Sequence, residues 1–261
     1  MAVNLDLSGH RALVCGASKG IGAQAAIMMA EAGAKVTLVA RSEEGLKATL
    51  ENMPNSSEHT VLPLDLSDTD SIKSKVEQTV GSEPYTILVC NTGGPKAGPL
   101  SEADTENLES GFRMHVLANQ KLLEAVLPGM KQKEYGRIIN VISTSVKIPI
   151  PNLGVSNTIR GAVANWAKTL SMELGSFGIT VNNVLPGYTQ TERLEALIAA
   201  AAGRLGKSED EVIKMWKGKV PAGRFGDPKE TAAAISFLAS PMASYINGVN
   251  LPVDGGRTGS L

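Results

Sequence analysis

The stretch Cys15-Gly-Ala-Ser-Lys-Gly-Ile-Gly22 comes at the end of the first short apolar run of the chain. Its glycines lie where a strand is expected to turn into a helix, so the backbone can bend tightly and approach a ligand with no Cβ in the way. The helix that follows would direct its free N–H groups and its positive end at a pyrophosphate. The stretch therefore predicts a dinucleotide-binding loop, made by Gly16, Ser18, Lys19, Gly20, Ile21 and Gly22.

Short apolar runs alternate with longer segments of helical period along the rest of the chain. Most runs are continuously apolar, which is typical of strands covered on both faces. The repeated strand–helix–strand order predicts an α/β fold of the Rossmann type, a doubly wound, mostly parallel seven-stranded sheet with helices on both faces. The runs are, in order, Arg11–Gly16, Lys35–Ala40, Thr60–Asp65, Thr86–Asn91, Arg137–Ser143, Thr180–Leu185 and Gly248–Val253.

Three segments between the runs carry helix signals. Residues 21–32 are expected to end at Gly33, a typical C-terminal glycine, and residues 153–175 have an apolar stripe of helical period. Ser208-Glu-Asp-Glu211 resembles a capping box inside an insertion at about 190–226, which either closes over a substrate as a lid or packs on the body as a helical pair. Because no repeat or linker divides the chain, residues 1–261 are interpreted as one domain.

Composition excludes several classes of protein. Hydrophobic residues make up 43% and charged residues 20%, as in globular proteins. Lys and Arg total 25 against 26 Asp and Glu, and only 4% of residues are aromatic, which argues against a nucleic-acid partner. No apolar run approaches the roughly 20 residues of a membrane span, and the start of the chain has no secretory pattern. Two cysteines and three histidines form no zinc spacing, so we expect a cytoplasmic protein with no metal site.

The charges near the glycine loop indicate which dinucleotide it would bind. An NAD site needs an acidic residue at the end of the second strand, about 20 residues beyond the glycines, to hold the ribose hydroxyls. Here Ala40 and Arg41 occupy that place, and Lys19 lies within the loop. Two cations without a carboxylate suit a 2′-phosphate, so the predicted cofactor is NADP(H).

The same loop also contains Gly16-Ala-Ser18-Lys-Gly20, which matches the G-x-S-x-G elbow of serine hydrolases. In those enzymes the elbow follows several strands and is itself followed by an acidic residue and a late histidine. The last histidine of this chain is His115, and its final half has none. The pattern therefore fits a hydrolase poorly.

Several further motifs follow the glycine loop in order, and with them the chain resembles the short-chain dehydrogenase/reductase family over nearly its whole length. It is most similar to the 3-oxoacyl-carrier-protein-reductase-like members. By this resemblance Asp65 and Leu66 contact adenine, and the assembly is a homotetramer or homodimer. The other matching segments are the turn Asn91-Thr-Gly93-Gly94, the stretch Pro186-Gly187 with Thr191 that holds the nicotinamide end, and the C-terminal signature in Gly223–Pro228 and Tyr245–Gly256.

The catalytic positions depart from this family, whose members usually reduce a carbonyl or oxidise an alcohol with an Asn–Ser–Tyr–Lys set. Aligning the chain on Asn140-Val-Ile-Ser143 puts Ser143 in the place of the serine. Ser156 then stands for the tyrosine and Arg160 for the lysine, and His115 falls in the place of the asparagine. Three of the four residue types differ, and no Tyr-x-x-x-Lys occurs in the chain.

These substitutions change what the site can do with a proton. Ser156 and Arg160 are four residues apart and share a helix face, but arginine cannot exchange a proton at working pH. A serine is a far weaker acid than a phenol, and loss of a placed general acid commonly costs ~10²–10⁴-fold in rate. His115, Tyr188, or Ser143 with an ordered water could replace the tyrosine, and Arg160 could instead bind an anionic substrate group. The sequence leaves these alternatives open.

Two hypotheses about function remain. The first is an NADP(H)-dependent oxidoreductase that acts on a small-molecule carbonyl or alcohol through an altered proton relay. The second is a nucleotide-binding protein of the same fold with little or no catalysis, which serves as a sensor or assembly partner. The cofactor motifs favour the first, although a fold alone does not decide a function.

Overall fold

Seven parallel strands form the sheet of the computed structural model, which describes residues 5–81 and 83–260. Their order across the sheet is β3-β2-β1-β4-β5-β6-β7, so the chain winds outward in both directions from β1 and β4. This is the doubly wound Rossmann topology expected from the sequence. The strands are β1 (Arg11–Cys15), β2 (Lys35–Ala40), β3 (Thr60–Pro63), β4 (Ile87–Cys90), β5 (Gly136–Val141), β6 (Ile179–Pro186) and β7 (Asn250–Val253).

Helices cover both faces of this sheet. Alternate side chains of β1 point to opposite faces, so Val14 joins the core beneath α1 and α9, and Leu13 joins the core beneath α3, α5 and α6. The helices are α1 (Gly20–Glu31), α2 (Glu43–Glu51), α3 (Thr69–Glu77), α4 (Thr105–Phe112), α5 (Ala118–Gln132), α6 (Gly154–Leu174), α7 (Glu192–Leu205), α8 (Glu209–Lys217) and α9 (Pro228–Ala239).

The helix ends follow the local signals. Gly33 has a φ of 94° just beyond α1, and its N–H donates to the carbonyl oxygen of Ala30 at 2.9 Å. Ser208 caps α8, and the Glu211 carboxylate accepts from the Ser208 N–H at 2.9 Å, which completes a capping box. The predicted start of α1 at residue 21, the bounds 153–175 for α6 and the C-terminal glycine therefore agree with the structure to within one residue.

Strand ends differ more from the apolar runs. The third run was expected to continue to Asp65, but β3 ends at Pro63 and the Asp65 side chain is exposed beyond it. The fifth run was expected to include Ser143, but β5 ends at Val141. In both cases the polar residue lies just past the carboxyl end of the strand, where a parallel sheet presents residues to a ligand.

A row of four asparagines, three of them buried, crosses the sheet beneath this carboxyl edge. Asn119 of α5 donates to Asn140 of β5 at 3.4 Å, and Asn140 donates to Asn183 of β6 at 2.9 Å. Asn183 in turn donates to Asn250 of β7 at 2.8 Å. Because the three strand residues are also direct partners in the strand register, the amides satisfy one another inside the core.

The helices and the cysteines bear on two kinds of protein considered from the sequence, membrane proteins and proteins with reactive or metal-binding thiols. Within residues 5–81 and 83–260, no helix combines the length and the apolar character that crossing a bilayer requires. Cys15 and Cys90 are free thiols that lie on neighbouring strands in the core, and burial raises the pKa of each. Neither is therefore a reactive thiolate at neutral pH.

Candidate active site

The glycine loop closes tightly against the turn after β4. Gly16 and Gly20 have φ of 62° and 59°, a region that favours glycine. A Cβ at Gly16 would lie 2.5 Å from Asn91 Nδ2, and one at Gly22 would overlap the carbonyl oxygen of Gly16. Asn91 Nδ2 also donates to the carbonyl oxygen of Cys15 at 3.3 Å. The loop therefore brings bare backbone to the carboxyl edge of β1 and β4.

The N-terminus of α1 is arranged for an anion. Lys19 is the N-cap residue but its side chain caps no N–H group, and the first turn contains no acidic residue. The Lys19 ammonium instead forms an exposed ion pair with Glu192 at the start of α7. Ser18 lies half-buried beside Gly45 of α2, and Ile21 packs against the core. The free N–H groups of the first turn are left available to a negatively charged ligand.

Arg41 and Asp65 lie together beyond β2 and β3. Arg41 is exposed, and its charge helps to lower the pKa of Asp65, which hydrogen bonds from Ser67 lower most. The Ser67 N–H and hydroxyl donate to one Asp65 oxygen at 2.9 and 2.8 Å. Leu66 is only 8% exposed and belongs to the core beneath this edge. The Arg41 cation and the fixed Asp65 carboxylate therefore lie together beyond the ends of β2 and β3, on the β2 side of the glycine loop.

The segment after β6 runs past the same edge. A Cβ at Gly187 would lie 2.7 Å from the Asp254 Cα, so the backbone after Pro186 approaches the end of β7 closely. Thr191 caps α7, its hydroxyl accepting from the Leu194 N–H at 3.4 Å. The methyl carbon of Thr191 would lie 3.3 Å from a Cβ at Gly20. The two predicted cofactor segments therefore lie next to each other across the loop.

Three of the catalytic candidates, Arg160, Ser143 and Ser156, come from the segment just after β5 and from α6. Arg160 is 7% exposed, and its Nη1 donates to the carbonyl oxygen of Val141 at 2.9 Å. Burial, together with the charge of Arg193, lowers the pKa of Arg160 to about 10, so it stays a cation at neutral pH. Ser156 is 8% exposed one turn earlier on α6, and the Ser143 Oγ accepts from the Ser145 N–H at 3.1 Å. Each serine hydroxyl still has a proton to donate.

His115 lies in a π-helical turn, Arg113–Leu117, between α4 and α5. It is 2% exposed, its Nδ1 lies 2.6 Å from the Thr92 Oγ1, and its buried Nε2 has no hydrogen-bond partner within the described part of the chain. Burial, assisted by the charge of Arg160, lowers the pKa of His115 to about 3. The imidazole is therefore neutral at neutral pH, because burial and the charge of Arg160 outweigh the backbone hydrogen bond with Gly93 that favours its protonated form.

Tyr188, the other aromatic candidate for a proton donor, is held among large neighbours. Its ring stacks on Trp216 of α8 with centroids 4.9 Å apart, and the Arg257 guanidinium lies 4.4 Å from the ring centroid. Phe225 packs on its edge at 5.8 Å. This packing is typical of a wall residue, and it anchors the α7–α8 helical pair to the end of β6.

The structure also adds residues that the sequence did not single out. Arg193, in the first turn of α7, donates to the carbonyl oxygen of Pro95 at 2.8 Å and lies against Gly94. Thr92 fixes His115, and Glu192 pairs with Lys19. In the sequence, Arg193 and Glu192 look like ordinary charges of an exposed helix, and no local pattern distinguishes them.

Comparison with known proteins agrees with this geometry. A protein-family model described as enoyl-(acyl carrier protein) reductase matches residues 16–258. The 3-oxoacyl-acyl-carrier-protein reductase FabG of Vibrio cholerae is 36% identical, over 97% of this chain and 98% of its own. Gluconate 5-dehydrogenase of Gluconobacter oxydans is 33% identical, over 98% and 97%. The structure of L-sorbose reductase from Gluconobacter frateurii, complexed with NADPH and L-sorbose, has a TM-score of 0.91 at 27% identity and covers 99% of this chain and 100% of that one.

Proposed function

The chain belongs to the short-chain dehydrogenase/reductase family, and from this premise we propose that it is an NADP(H)-dependent oxidoreductase that interconverts a carbonyl and an alcohol on a small molecule. When bound, the nicotinamide supplies or accepts the hydride. The observation that carries the proposal is the glycine cradle at the uncapped start of α1, flanked by Lys19 and Arg41. The similar reductases and dehydrogenases argue against the serine-hydrolase interpretation of Ser18.

The residues around the cradle fit a phosphorylated dinucleotide. Gly16 and Gly22 leave no room for a side chain, so only backbone can face the pyrophosphate. Lys19 and Arg41 supply positive charge for a 2′-phosphate, and L-sorbose reductase is complexed with NADPH in its crystal structure. We assign Asp65 and Leu66 to the adenine end and Pro186, Gly187 and Thr191 to the nicotinamide end. Asn91 and Gly93 would contact the cofactor from the turn after β4.

Binding of the cofactor would compete with the ion pair between Lys19 and Glu192. Both side chains are about two-thirds exposed, at 65% and 67%. Exposed ion pairs contribute little to stability because water screens them. A phosphate that accepts charge-assisted hydrogen bonds from Lys19 would therefore displace Glu192 readily.

In the place of the family's lysine, Arg160 holds the nicotinamide ribose. Its Nη1 is engaged by Val141, and the remaining N–H groups of the planar fork can donate to ribose hydroxyls. At a pKa of about 10 it also keeps a positive charge beside the reacting atoms. It contributes binding and charge but does not move a proton at working pH.

The proton moves through hydroxyl groups. Ser143 donates to the substrate oxygen and polarises it, and Ser156 provides a second hydroxyl on the same side through which water delivers the proton. His115 is neutral and orients Thr92 through the 2.6 Å contact, so it does not act as a charged acid. Because neither serine matches a phenol in acidity, the rate would be lower than with tyrosine by about 10²–10⁴-fold.

The pair α7–α8 is proposed to close over the substrate within the single domain. The contact from Arg193 of α7 to Pro95 already spans the cleft between this pair and the turn after β4. The capping box of Ser208 and Glu211 would keep the start of α8 helical during such a closure. The family resemblance also suggests a homodimer or a homotetramer. Sedimentation of the purified protein would measure its oligomeric state.

The experiment has two stages. Calorimetric titration with NADPH and NADH, supported by thermal protection, should give binding with a preference for NADPH. NADPH oxidation is then followed with ketones, diketones and acyl thioesters, and slow turnover of at least one is expected. Absence of any binding would refute the proposal, and binding with no turnover of any substrate would leave the non-catalytic alternative.

A further inference from the structure

The chain turns sharply just after β7. Gly255 and Gly256 have left-handed φ of 65° and 85°, and the Arg257 N–H donates to the Asp254 carbonyl oxygen at 3.3 Å, which closes a β-turn. The Asp254 carboxylate accepts from the N–H of Gly256 at 3.0 Å with one oxygen and from the N–H of Thr258 at 2.8 Å with the other. These bonds fix the backbone that carries Arg257.

The Arg257 side chain contacts two segments that follow different strands. Its Nη1 donates to the Thr144 Oγ1 at 3.2 Å, and Thr144, which is 2% exposed, directly follows Ser143. Its guanidinium carbon lies 4.4 Å from the centroid of the Tyr188 ring, and Tyr188 directly follows Gly187 beyond β6. A planar guanidinium can stack on a ring with its face and donate hydrogen bonds from its edge. Arg257 therefore bridges the segment after β5 and the segment after β6.

The first end of this bridge reaches the group that is proposed to polarise the substrate. Ser143 is the N-cap of the short helical turn Thr144–Val146, and its Oγ accepts from the Ser145 N–H at 3.1 Å. The same turn packs on α6 and β6. A hydrogen bond to the Thr144 hydroxyl therefore restrains the backbone that carries the Ser143 hydroxyl.

The second end of the bridge reaches the α7–α8 pair. The Tyr188 ring stacks on Trp216 of α8 with centroids 4.9 Å apart, and Phe225 packs on its edge. These three rings belong to one apolar cluster with Leu194 and Ile198 of α7. Any displacement of the pair would therefore move the ring on which the guanidinium lies.

We propose that Arg257 is a positioning residue, which couples the closure of the α7–α8 pair to the placement of the Ser143 hydroxyl; this rests on the proposed function above. Arg257 acts through Thr144 and Tyr188 and takes no part in proton transfer itself. Strands β4, β5 and β6 separate β7 from β1, which carries the glycine loop. Loss of Arg257 should therefore reduce turnover much more than NADPH affinity.

The first test follows Trp216 by fluorescence and needs no substrate. The sequence has two tryptophans, so a Trp166→Phe background leaves Trp216 as the single emitter. Acrylamide quenching is measured in this background for Arg257→Gln, for Thr144→Val, which keeps the side-chain shape and removes the hydroxyl, and for the double variant. Each single variant should raise the quenching constant of Trp216. Since both act through one bridge, the second substitution should add nothing to the first.

The matched control is Arg204→Gln, at an exposed position of α7, which should leave the quenching of Trp216 unchanged. Additive effects of the two substitutions in the double variant would overturn the proposal, because Arg257 and Thr144 would then act independently. An unchanged quenching constant in Thr144→Val would also overturn it, because the guanidinium would not transmit the change.

The second test uses a carbonyl compound that the NADPH-oxidation panel identifies as a substrate. In Arg257→Gln, kcat should fall by roughly tenfold or more, because misplacing a reacting group by about 1 Å can cost on the order of 10²-fold in rate. NADPH affinity should stay close to that of the wild-type protein. An unchanged kcat, or an equal loss of NADPH affinity, would contradict the proposal. If the wild-type protein fails to bind NADPH, the proposed function fails by itself, and the quenching of Trp216 still decides whether Arg257 couples the two segments.

Discussion

The guanidinium of Arg160 donates a 2.9 Å hydrogen bond to the carbonyl oxygen of Val141, which ties the buried cation of α6 to the last residue of β5. Ser143 follows that strand end by two residues. A lysine could keep the charge here but could not bond the strand and present further donors in one plane. Arg160 thus has two effects: it holds α6 to the end of β5 by a hydrogen bond, and it brings a positive charge to the candidate active site.

Replacing Arg160 should separate these two contributions. In Arg160→Met the Val141 carbonyl loses its partner, so we expect a loss of about 1–3 kcal/mol in the free energy of unfolding. NADPH affinity should fall roughly tenfold or more, since the donors to ribose are lost. Arg160→Lys should retain more of the affinity because it keeps the charge. Urea unfolding and NADPH titration measure the two effects, and an Arg160→Met variant with unchanged affinity would remove this residue from the cofactor site.

His115 should make stability depend on pH. The pKa of His115 is about 3 in the folded protein against 6.5 for an ordinary histidine, so the unfolded chain binds a proton first as the pH falls. Its contribution to the free energy of unfolding is present above about pH 6.5 and is lost progressively towards pH 3, at up to ~1.4 kcal/mol per pH unit. Urea unfolding at about pH 7 and pH 5 should therefore show a smaller pH effect in His115→Asn than in the wild-type protein. An equal pH effect in both would contradict the low pKa.

Arg41 should determine the choice between the two coenzymes. Arg41→Asp removes a cation from the 2′-phosphate and adds a carboxylate that can accept from ribose hydroxyls. We expect NADPH to bind roughly tenfold or more weakly, and NADH to bind more tightly. The matched control is Lys35→Ala, which removes an exposed lysine bonded to Glu83 at the amino end of β2. Fluorescence titrations at one ionic strength measure the two affinities. An unchanged ratio of NADPH to NADH affinity in Arg41→Asp would refute the assignment of Arg41 to the 2′-phosphate.

Gly16 and Gly9 offer a matched pair for the glycine loop. Both have left-handed φ, 62° and 77°, but a Cβ at Gly9 meets no atom within 4 Å. Gly9→Ala should therefore cost only the backbone strain, about 1–2 kcal/mol, and leave NADPH affinity intact. Gly16→Ala should cost more, because its Cβ would lie 2.6 Å from the Asn91 carbonyl oxygen, and it should abolish NADPH binding. If Gly9→Ala and Gly16→Ala changed the unfolding temperature and the NADPH affinity equally, the close approach of Gly16 to Asn91 would not matter for cofactor binding.

Local signals were sufficient for most of the fold. The loop at Gly16, the helix end at Gly33 and the capping box at Ser208 each depend on residues that are neighbours in the chain, so a sequence pattern can reveal them. The apolar runs gave all seven strands because both faces of the sheet are covered. Their ends were less accurate, since the apolar residues Leu64 and Ile142 continue the runs beyond the ends of β3 and β5.

The electrostatics of the site could not be obtained in the same way. The low pKa of His115 requires its burial and the approach of Arg160, 45 residues later in the numbering. Arg193 bonds to Pro95 across 98 residues of sequence. Contacts of this kind depend on how separate strands and helices come together, and no spacing rule within one segment encodes them.

The asparagine row from Asn119 to Asn250 has a direction. Every amide donates its N–H to the oxygen of the next one, so turning a single member over would set two oxygens or two NH₂ groups against each other. The row thereby links β5 near its carboxyl end to the middle of β6 and to the first residue of β7. Ser143 follows β5 by two residues and Gly187 follows β6 directly, so these hydrogen bonds help to fix the spacing of the backbone at the candidate active site.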